Sequence, residues 1–291
     1  MPNQVHAGTV RTLLSRARYE ILPTASIGDT VLEHVPPERT LTITASAAKG
    51  LAATLDLAEL LAGNGYHAVP HLAARMISGP SELTEIVDRL TGLGVEGIFV
   101  PAGDATPPAG DYDAALPLLE DLAGLGSPFA RVGIAGYPEQ HPSISDDVLI
   151  QAMSDKLPHA TELVSNMCFD PKVLSGWVHQ VRGRGVDLPL LVGMPGPVQR
   201  AKLLSVATKI GVGESTKFLS KHRSLFARIA SPGGYSPRRF LEKTAPLAAD
   251  PQANIAGLHI YTFNQVAGTE SWLSEWLEEL GGREAQEGPG E

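Results

Sequence analysis

Glu20 stands inside an otherwise apolar run, Tyr19-Glu20-Ile21-Leu22-Pro23. A carboxyl group withdrawn from water favours its protonated form, which is the form a general acid needs. The alternative is an ion pair, or a buried acid with backbone partners. Polar residues also mark the ends of other apolar runs: Thr44, His71, Asp104, Asn166 and Asn264. Asp104 follows Pro101-Ala102-Gly103, a turn that either aims its carboxylate into the mouth formed by the run ends or serves as a simple helix or turn cap. Tyr137, Glu139 and His141 crowd between Gly136 and Pro142, where prolines stiffen the chain. Together these residue types suit carboxylate acid–base chemistry. His67, His71, Glu139 and His141 are the metal candidates, but no His-x-His follows the first run and no His-Glu-x-x-His occurs, so no metal site is expected. No lysine lies within an apolar run, which sets Schiff-base chemistry aside. Cys168 has no catalytic signature around it and reads as a small apolar strand residue.

The elements that must position these groups are eight short apolar runs, at residues 19–23, 40–45, 67–73, 97–103, 131–137, 162–169, 188–193 and 257–263. Most are apolar on both faces, as parallel strands covered by helices should be. Amphipathic stretches separate them. Leu83, Ile86, Val87 and Leu90 form one stripe, and Leu174, Trp177, Val178 and Val181 another behind an Asp170-Pro171 start. Ser145 with Asp146 and Asp147 opens a further helix. Eight alternations without a linker predict a single (β/α)8 TIM barrel over residues 1–280. No Gly-x-Gly-x-x-Gly follows the first run, which argues against an open doubly wound sheet. The gap between runs seven and eight is about twice the usual repeat, so extra helices are expected there. Trp272, Leu273, Trp276, Leu277 and Leu280 predict a terminal helix over 269–280, and residues 281–291 read as a disordered tail.

Composition narrows the partners. The 291 residues carry 23 Lys and Arg against 32 Asp and Glu, a net charge of −9, which argues against a nucleic-acid binder. A single cysteine excludes an intrachain disulfide and fits a reducing compartment. Residues 1–9 are polar and do not read as a secretory leader, and no run of about 18 apolar residues appears. A cytoplasmic protein with no membrane contact is the expectation. Residues 214–243 are the exception to the acidity, with Lys217, Lys221, Arg223, Arg228, Arg238, Arg239 and Lys243 against Glu214 and Glu242. They form either a solvated helix surface or a landing site for anions near the barrel mouth.

Taken in order, the run ends resemble the methylenetetrahydrofolate reductase family. Residues 19–23 are similar to that family's F-E-F-F-P, Pro70-His71-Leu72 to P-H-L, and Gly103-Asp104 to the end of R-G-D. Tyr137-Pro138-Glu139-Gln140-His141-Pro142 resembles Y-P-E-x-H-P, residues 165–170 resemble T-Q-F-F-F-D, and Tyr261-Thr262-Phe263-Asn264 resembles Y-T-L-N. The resemblance spans residues 19–280. It implies an oxidoreductase of one-carbon metabolism that reduces 5,10-methylenetetrahydrofolate to 5-methyltetrahydrofolate, a supply for methionine biosynthesis. It makes Glu20 the acid that assists protonation at N10, opening the bridge to an N5 iminium. Asp104 becomes a carboxylate that contacts the ring system and steadies developing positive charge. Asn166 replaces a pterin-binding glutamine and Gln265 an arginine that contacts the folate tail. Thr44, His71 and Tyr137 match positions lining the flavin site, with Glu139, His141 and Lys156 as further cofactor contacts.

The departures concern the same cofactor. The arginine of R-G-D is Ala102, Lys156 is one residue out of register, and an aromatic pair has become Met167-Cys168. Loss of a bidentate cation weakens a buried pyrophosphate contact by a few kcal/mol. The resulting expectation is that FAD is weakly bound or absent and that NADH, with NADPH left open, reduces the iminium directly. The alternatives are an FAD-dependent reductase of the usual type, and a barrel that binds folate or nucleotide without turnover.

Overall fold

The computed structural model describes residues 4–47, 49–141, 144–197 and 235–286. Eight parallel strands run in chain order: β1 (Arg18–Ile21), β2 (Leu41–Ile43), β3 (Ala68–Pro70), β4 (Gly97–Phe99), β5 (Arg131–Gly136), β6 (Glu162–Ser165), β7 (Leu190–Pro195) and β8 (Ile255–Tyr261). Each coincides with one of the eight apolar runs. Their order in the sheet is β3-β2-β1-β8-β7-β6-β5-β4, so β3 and β4 are its ends. The ends meet just beyond β3, where His71 bridges Phe99 in parallel. There the Leu72 amide donates to the Phe99 carbonyl at 2.8 Å, and the Ala74 amide to that of Pro101 at 3.0 Å. The sheet is therefore a (β/α)8 barrel.

Nine helices are described: α1 (Gln4–Ser15), α2 (Ile27–His34), α3 (Gly50–Gly63), α4 (Pro80–Gly92), α5 (Ala115–Gly124), α6 (Asp146–Lys156), α7 (Pro171–Gly183), α8 (Pro237–Ala248) and α9 (Val266–Gln286). The stripes read from sequence are the buried faces. Leu83, Ile86, Val87 and Leu90 of α4 are buried, as are Leu174, Trp177, Val178 and Val181 of α7. The Asp170 carboxylate caps α7 by accepting from the Lys172 amide at 2.9 Å. No described helix is long and apolar enough to cross a membrane.

One expectation changes at the carboxyl-terminal end. The terminal helix continues to Gln286, so residues 281–286 are helical and not part of a disordered tail. Gly281 and Gly282 weaken a helix by about 1 kcal/mol each without ending it, and Arg283, Glu284, Ala285 and Gln286 are sound helix formers. Between β7 and β8 the described helix is α8. Residues 198–234, which carry Lys217, Lys221, Arg223 and Arg228 of the basic segment, lie outside the described residues. Of that segment's described part, Arg238 pairs with Glu279 at 2.6 Å and stacks 5.1 Å from the Trp276 ring centre, as a solvated helix surface does.

A close approach fixes the end of β6 against β7. The Gly193 amide donates to Ser165 Oγ at 2.7 Å, and the Gly193 carbonyl accepts from the Cys168 amide at 2.9 Å. A Cβ at Gly193 would lie 2.1 Å from the Ser165 carbonyl oxygen and 2.8 Å from that of Asn166, both backbone atoms. Gly193→Ala is therefore expected to lower the unfolding free energy by about 1–3 kcal/mol through overpacking, measured by urea denaturation.

Candidate active site at the carboxyl end of the barrel

The pleat of β1 sorts its side chains. Tyr19 and Ile21 are fully buried on the outer face, under the helices. The Tyr19 hydroxyl donates to Glu270 of α9 at 2.6 Å, and Arg39 stacks 5.1 Å from its ring. Arg18 and Glu20 consequently face the barrel interior. Arg18 donates to both oxygens of Glu162, at 2.8 Å for the Nη2–Oε2 bond. Since β8 and β7 lie between β1 and β6 in the sheet, this pair crosses the interior.

Glu20 sits one interior layer further toward the mouth, its side chain 14% exposed. Its Oε2 lies 3.0 Å from His259 Nε2, on the neighbouring strand β8. His71 Nε2 approaches the same oxygen at 4.0 Å from the end of β3, beyond hydrogen-bond reach. Burial pushes the His71 imidazole down to about 4, with the Glu20 charge opposing and His259 adding to the shift, so His71 is neutral at ordinary pH. Tyr261, two residues after His259, sets its ring edge-on to that imidazole with centres 4.9 Å apart. Burial pushes its phenol well above the ordinary value, assisted by the Glu20 charge.

The remaining candidates divide into two groups. Thr44, His71 and Gln265 converge on the mouth, and Thr44 Oγ1, His71 Nε2 and Gln265 Nε2 are buried with no hydrogen-bond partner among the described residues. Asn166 closes β6, its Oδ1 accepting from the Met167 amide at 2.8 Å with the Tyr261 hydroxyl 3.5 Å away. Tyr137 packs edge-on to His141 at 5.2 Å past the end of β5. Asp104 is exposed at the end of β4, behind Gly103 in a left-handed conformation at φ 86°. Glu139 is occupied as a brace: its Oε1 accepts from the amides of Phe169 at 2.7 Å and Asp170 at 3.1 Å, tying the β5 loop to the β6 loop. Asn264 is also a brace, joining β8 to β1 through Leu22 N at 2.8 Å, Leu22 O at 3.0 Å and Thr24 Oγ1 at 3.0 Å. Lys156 is the last residue of α6, where the chain turns back toward the start of β6, so the topology places it away from the strand ends that hold Glu20. Cys168 is buried, and burial pushes its thiol up. Among the described residues no group of three or more His, Cys, Asp or Glu side chains is arranged to hold a metal ion.

His259 and Tyr261 are the site residues that the sequence reading did not single out. The signal was present: both are polar, two apart, in an apolar strand, which is the same signal that marked Glu20.

The model of the family described as methylenetetrahydrofolate reductase matches residues 32–275. The chain belongs to the methylenetetrahydrofolate reductase family. A stretch of 93 residues is 28% identical to methylenetetrahydrofolate reductase 2 of Saccharomyces cerevisiae, covering 31% of this chain and 16% of the yeast protein. Among solved structures, a candidate lyase/mutase from Burkholderia cenocepacia superposes with a TM-score of 0.50 at 17% identity, covering 98% of this chain and 88% of that one. Dihydropteroate synthase of Xanthomonas albilineans gives a TM-score of 0.42 at 14% identity, over 91% of this chain and 94% of that one. At these identities the structural likeness concerns the fold alone.

Methylenetetrahydrofolate reductases normally hold a flavin, and the described residues offer partners to one end of it. The unpartnered Thr44 Oγ1 and His71 Nε2 suit the hydrogen-bonding edge of a planar ring. Ala102 is exposed where the family has arginine, and Arg75, beside the same loop, is engaged by the carbonyls of Ala105 at 2.8 Å and Asp113 at 3.1 Å.

The depressed His71 makes stability depend on pH. Its unfolded form binds a proton near pH 6.5 and its folded form only near 4, so stability is greatest above 6.5 and falls as pH drops toward 4. The loss is on the order of 3 kcal/mol. Urea denaturation between pH 7 and 4 is expected to show this fall in the wild type and a smaller one in His71→Leu.

Proposed function

We propose that the protein reduces 5,10-methylenetetrahydrofolate to 5-methyltetrahydrofolate with a reduced nicotinamide dinucleotide, NADH by preference, as the direct hydride donor. The observation that carries this reading is the Glu20 carboxyl, mostly buried at the base of the mouth and bonded to His259 at 3.0 Å. Glu20 delivers a proton to N10 as the methylene bridge opens, and the resulting N5 iminium is the electrophile. Asp104, exposed at the end of β4, faces the cationic ring system as a counter-charge. Asn166, backed by Tyr261, supplies an amide to the pterin, and Gln265 a polar contact toward the folate tail. Thr44, His71 and Tyr137 line the space for the second ring. The nicotinamide supplies hydride, and transfer needs only that donor and acceptor carbons be held in contact with water excluded.

The mismatch at the pyrophosphate end favours direct transfer over a resident flavin, whereas the free polar atoms of Thr44 and His71 accommodate either ring. An absorption spectrum of the purified protein separates the two. No stoichiometric band near about 450 nm is expected, and such a band establishes the flavin-dependent alternative. Glu20→Gln tests turnover itself. It is expected to lower folate-dependent NADH oxidation by roughly 100-fold or more while folate binding, measured by calorimetry, persists. Absence of any folate-dependent oxidation in the wild type would leave a binding barrel without turnover.

A further inference from the structure

The bond between Glu20 and His259 has a direction that the surroundings select. The His259 side chain is 2% exposed, and its Nδ1 is buried with no hydrogen-bond partner among the described residues. Three protonation arrangements satisfy the 3.0 Å contact. An imidazolium puts a proton on Nδ1, leaving a buried N–H without an acceptor. A Glu20 hydroxyl donating to Nε2 forces the other tautomer, which has the same orphaned N–H and also ties up the proton that must be delivered. The neutral ring with its proton on Nε2 leaves only a lone pair at Nδ1, and a buried acceptor is the milder orphan.

We propose that His259 is a positioning residue for Glu20, its Nε2–H holding Oε2 so that Oε1 is the oxygen that carries and delivers the proton. This rests on Glu20 being the acid of the folate reduction proposed above. In the transfer, the O–H bond at Oε1 breaks and an N–H bond forms at N10. The N10–methylene bond breaks as the N5–methylene double bond forms. The negative charge left on the carboxylate is shared with Oε2, where His259 already donates, so a neutral hydrogen bond becomes a charge-assisted one as the barrier is crossed. His259 neither gains nor loses a proton. His71, neutral and 4.0 Å from the same oxygen, does not compete for it. The other titratable neighbours are Tyr261 of β8 and Tyr137 past β5, with the Arg18–Glu162 pair one layer below.

Because the bond strengthens during the reaction, its loss affects turnover more than binding. The experiment compares the full chain with His259→Gln, His259→Asn and His259→Leu by steady-state kinetics and pH–rate profiles, with folding checked by thermal melts. Glutamine places an amide N–H near the Nε2 position, whereas asparagine stops about one methylene short and leucine has no donor. Expected are kcat within about threefold of wild type for His259→Gln, and a fall of about 10- to 100-fold for the other two, at little-changed folate KM. The descending high-pH limb of the profile moves upward in His259→Leu, because the carboxylate loses a donor. Equal kcat in the Gln and Leu variants, an unmoved limb, or a loss confined to KM overturns the proposal. If the leucine variant does not fold, the Gln–Asn comparison decides by the same criteria. Wild-type turnover in Glu20→Gln instead overturns the acid assignment itself, and this proposal with it.

Discussion

A strand in a parallel barrel must show every second side chain to the interior, and on β1 both of those side chains, Arg18 and Glu20, are ionisable. Arg18 and Glu20 cannot escape to water without turning Tyr19 and Ile21, which are fully buried under the helices, out of the core. The rest of the interior answers this constraint. Glu162 of β6 neutralises Arg18 from across the barrel, and His259 of β8 meets Glu20 from the adjoining strand. A buried ion pair recovers its desolvation cost only with good geometry, so Arg18–Glu162 adds little net stability, but removal of either partner strands a charge at a cost of about 3–5 kcal/mol. The pair thus fixes the register at the amino end of the barrel.

Among the described residues, buried polar atoms without partners occur at several depths, Arg131 Nε at the start of β5 and Thr42 Oγ1 within β2 among them, and they gather at the mouth. Arg18 and Glu162 saturate each other. Glu20 has one firm partner and one more distant neighbour. Around the mouth, Thr44, His71 and Gln265 present buried polar atoms with no partner among the described residues. Buried polar groups cost free energy unless they are paired, so such atoms are to be expected where a ligand completes the pairing. His71 has a double position in this scheme, since its backbone closes the seam between β3 and β4 while its imidazole faces Glu20. Strain gathers at the same end: Phe263 and Asn264 are consecutive left-handed residues, at φ 51° and 61°, held there by Asn264 bonding across to β1.

The fold was legible because its signals are local. Apolar stripes at helical spacing named the buried faces of α4 and α7, and short apolar runs named all eight strands. Glu20 was legible for a related reason, since a carboxylate in an apolar strand breaks a local pattern. Its partner was not, because the pairing of β1 with β8 joins residues 239 positions apart, and barrel stagger decides which interior side chain meets which. Glu139 illustrates the converse. An acid among prolines reads as a site residue, but its oxygen is taken by two loop amides that no spacing rule reveals. The end of α9 was missed because residues 281–291, rich in Gly and Glu with a Pro, read as a disordered tail, although a helix docked along one face tolerates two glycines.

Glu20 and the space before it are assigned here to one event, hydride moving from a nicotinamide to a methylene carbon without an intermediary. Isotope tracing tests that event most directly. Carbon-bound deuterium does not exchange with water, whereas deuterium passed through the nitrogen of a reduced flavin does. With NADH deuterated at the transferable position, the account requires a single deuterium retained in the methyl group of 5-methyltetrahydrofolate, read by mass spectrometry. A methyl group depleted of label, or no methylated folate at all, would contradict it.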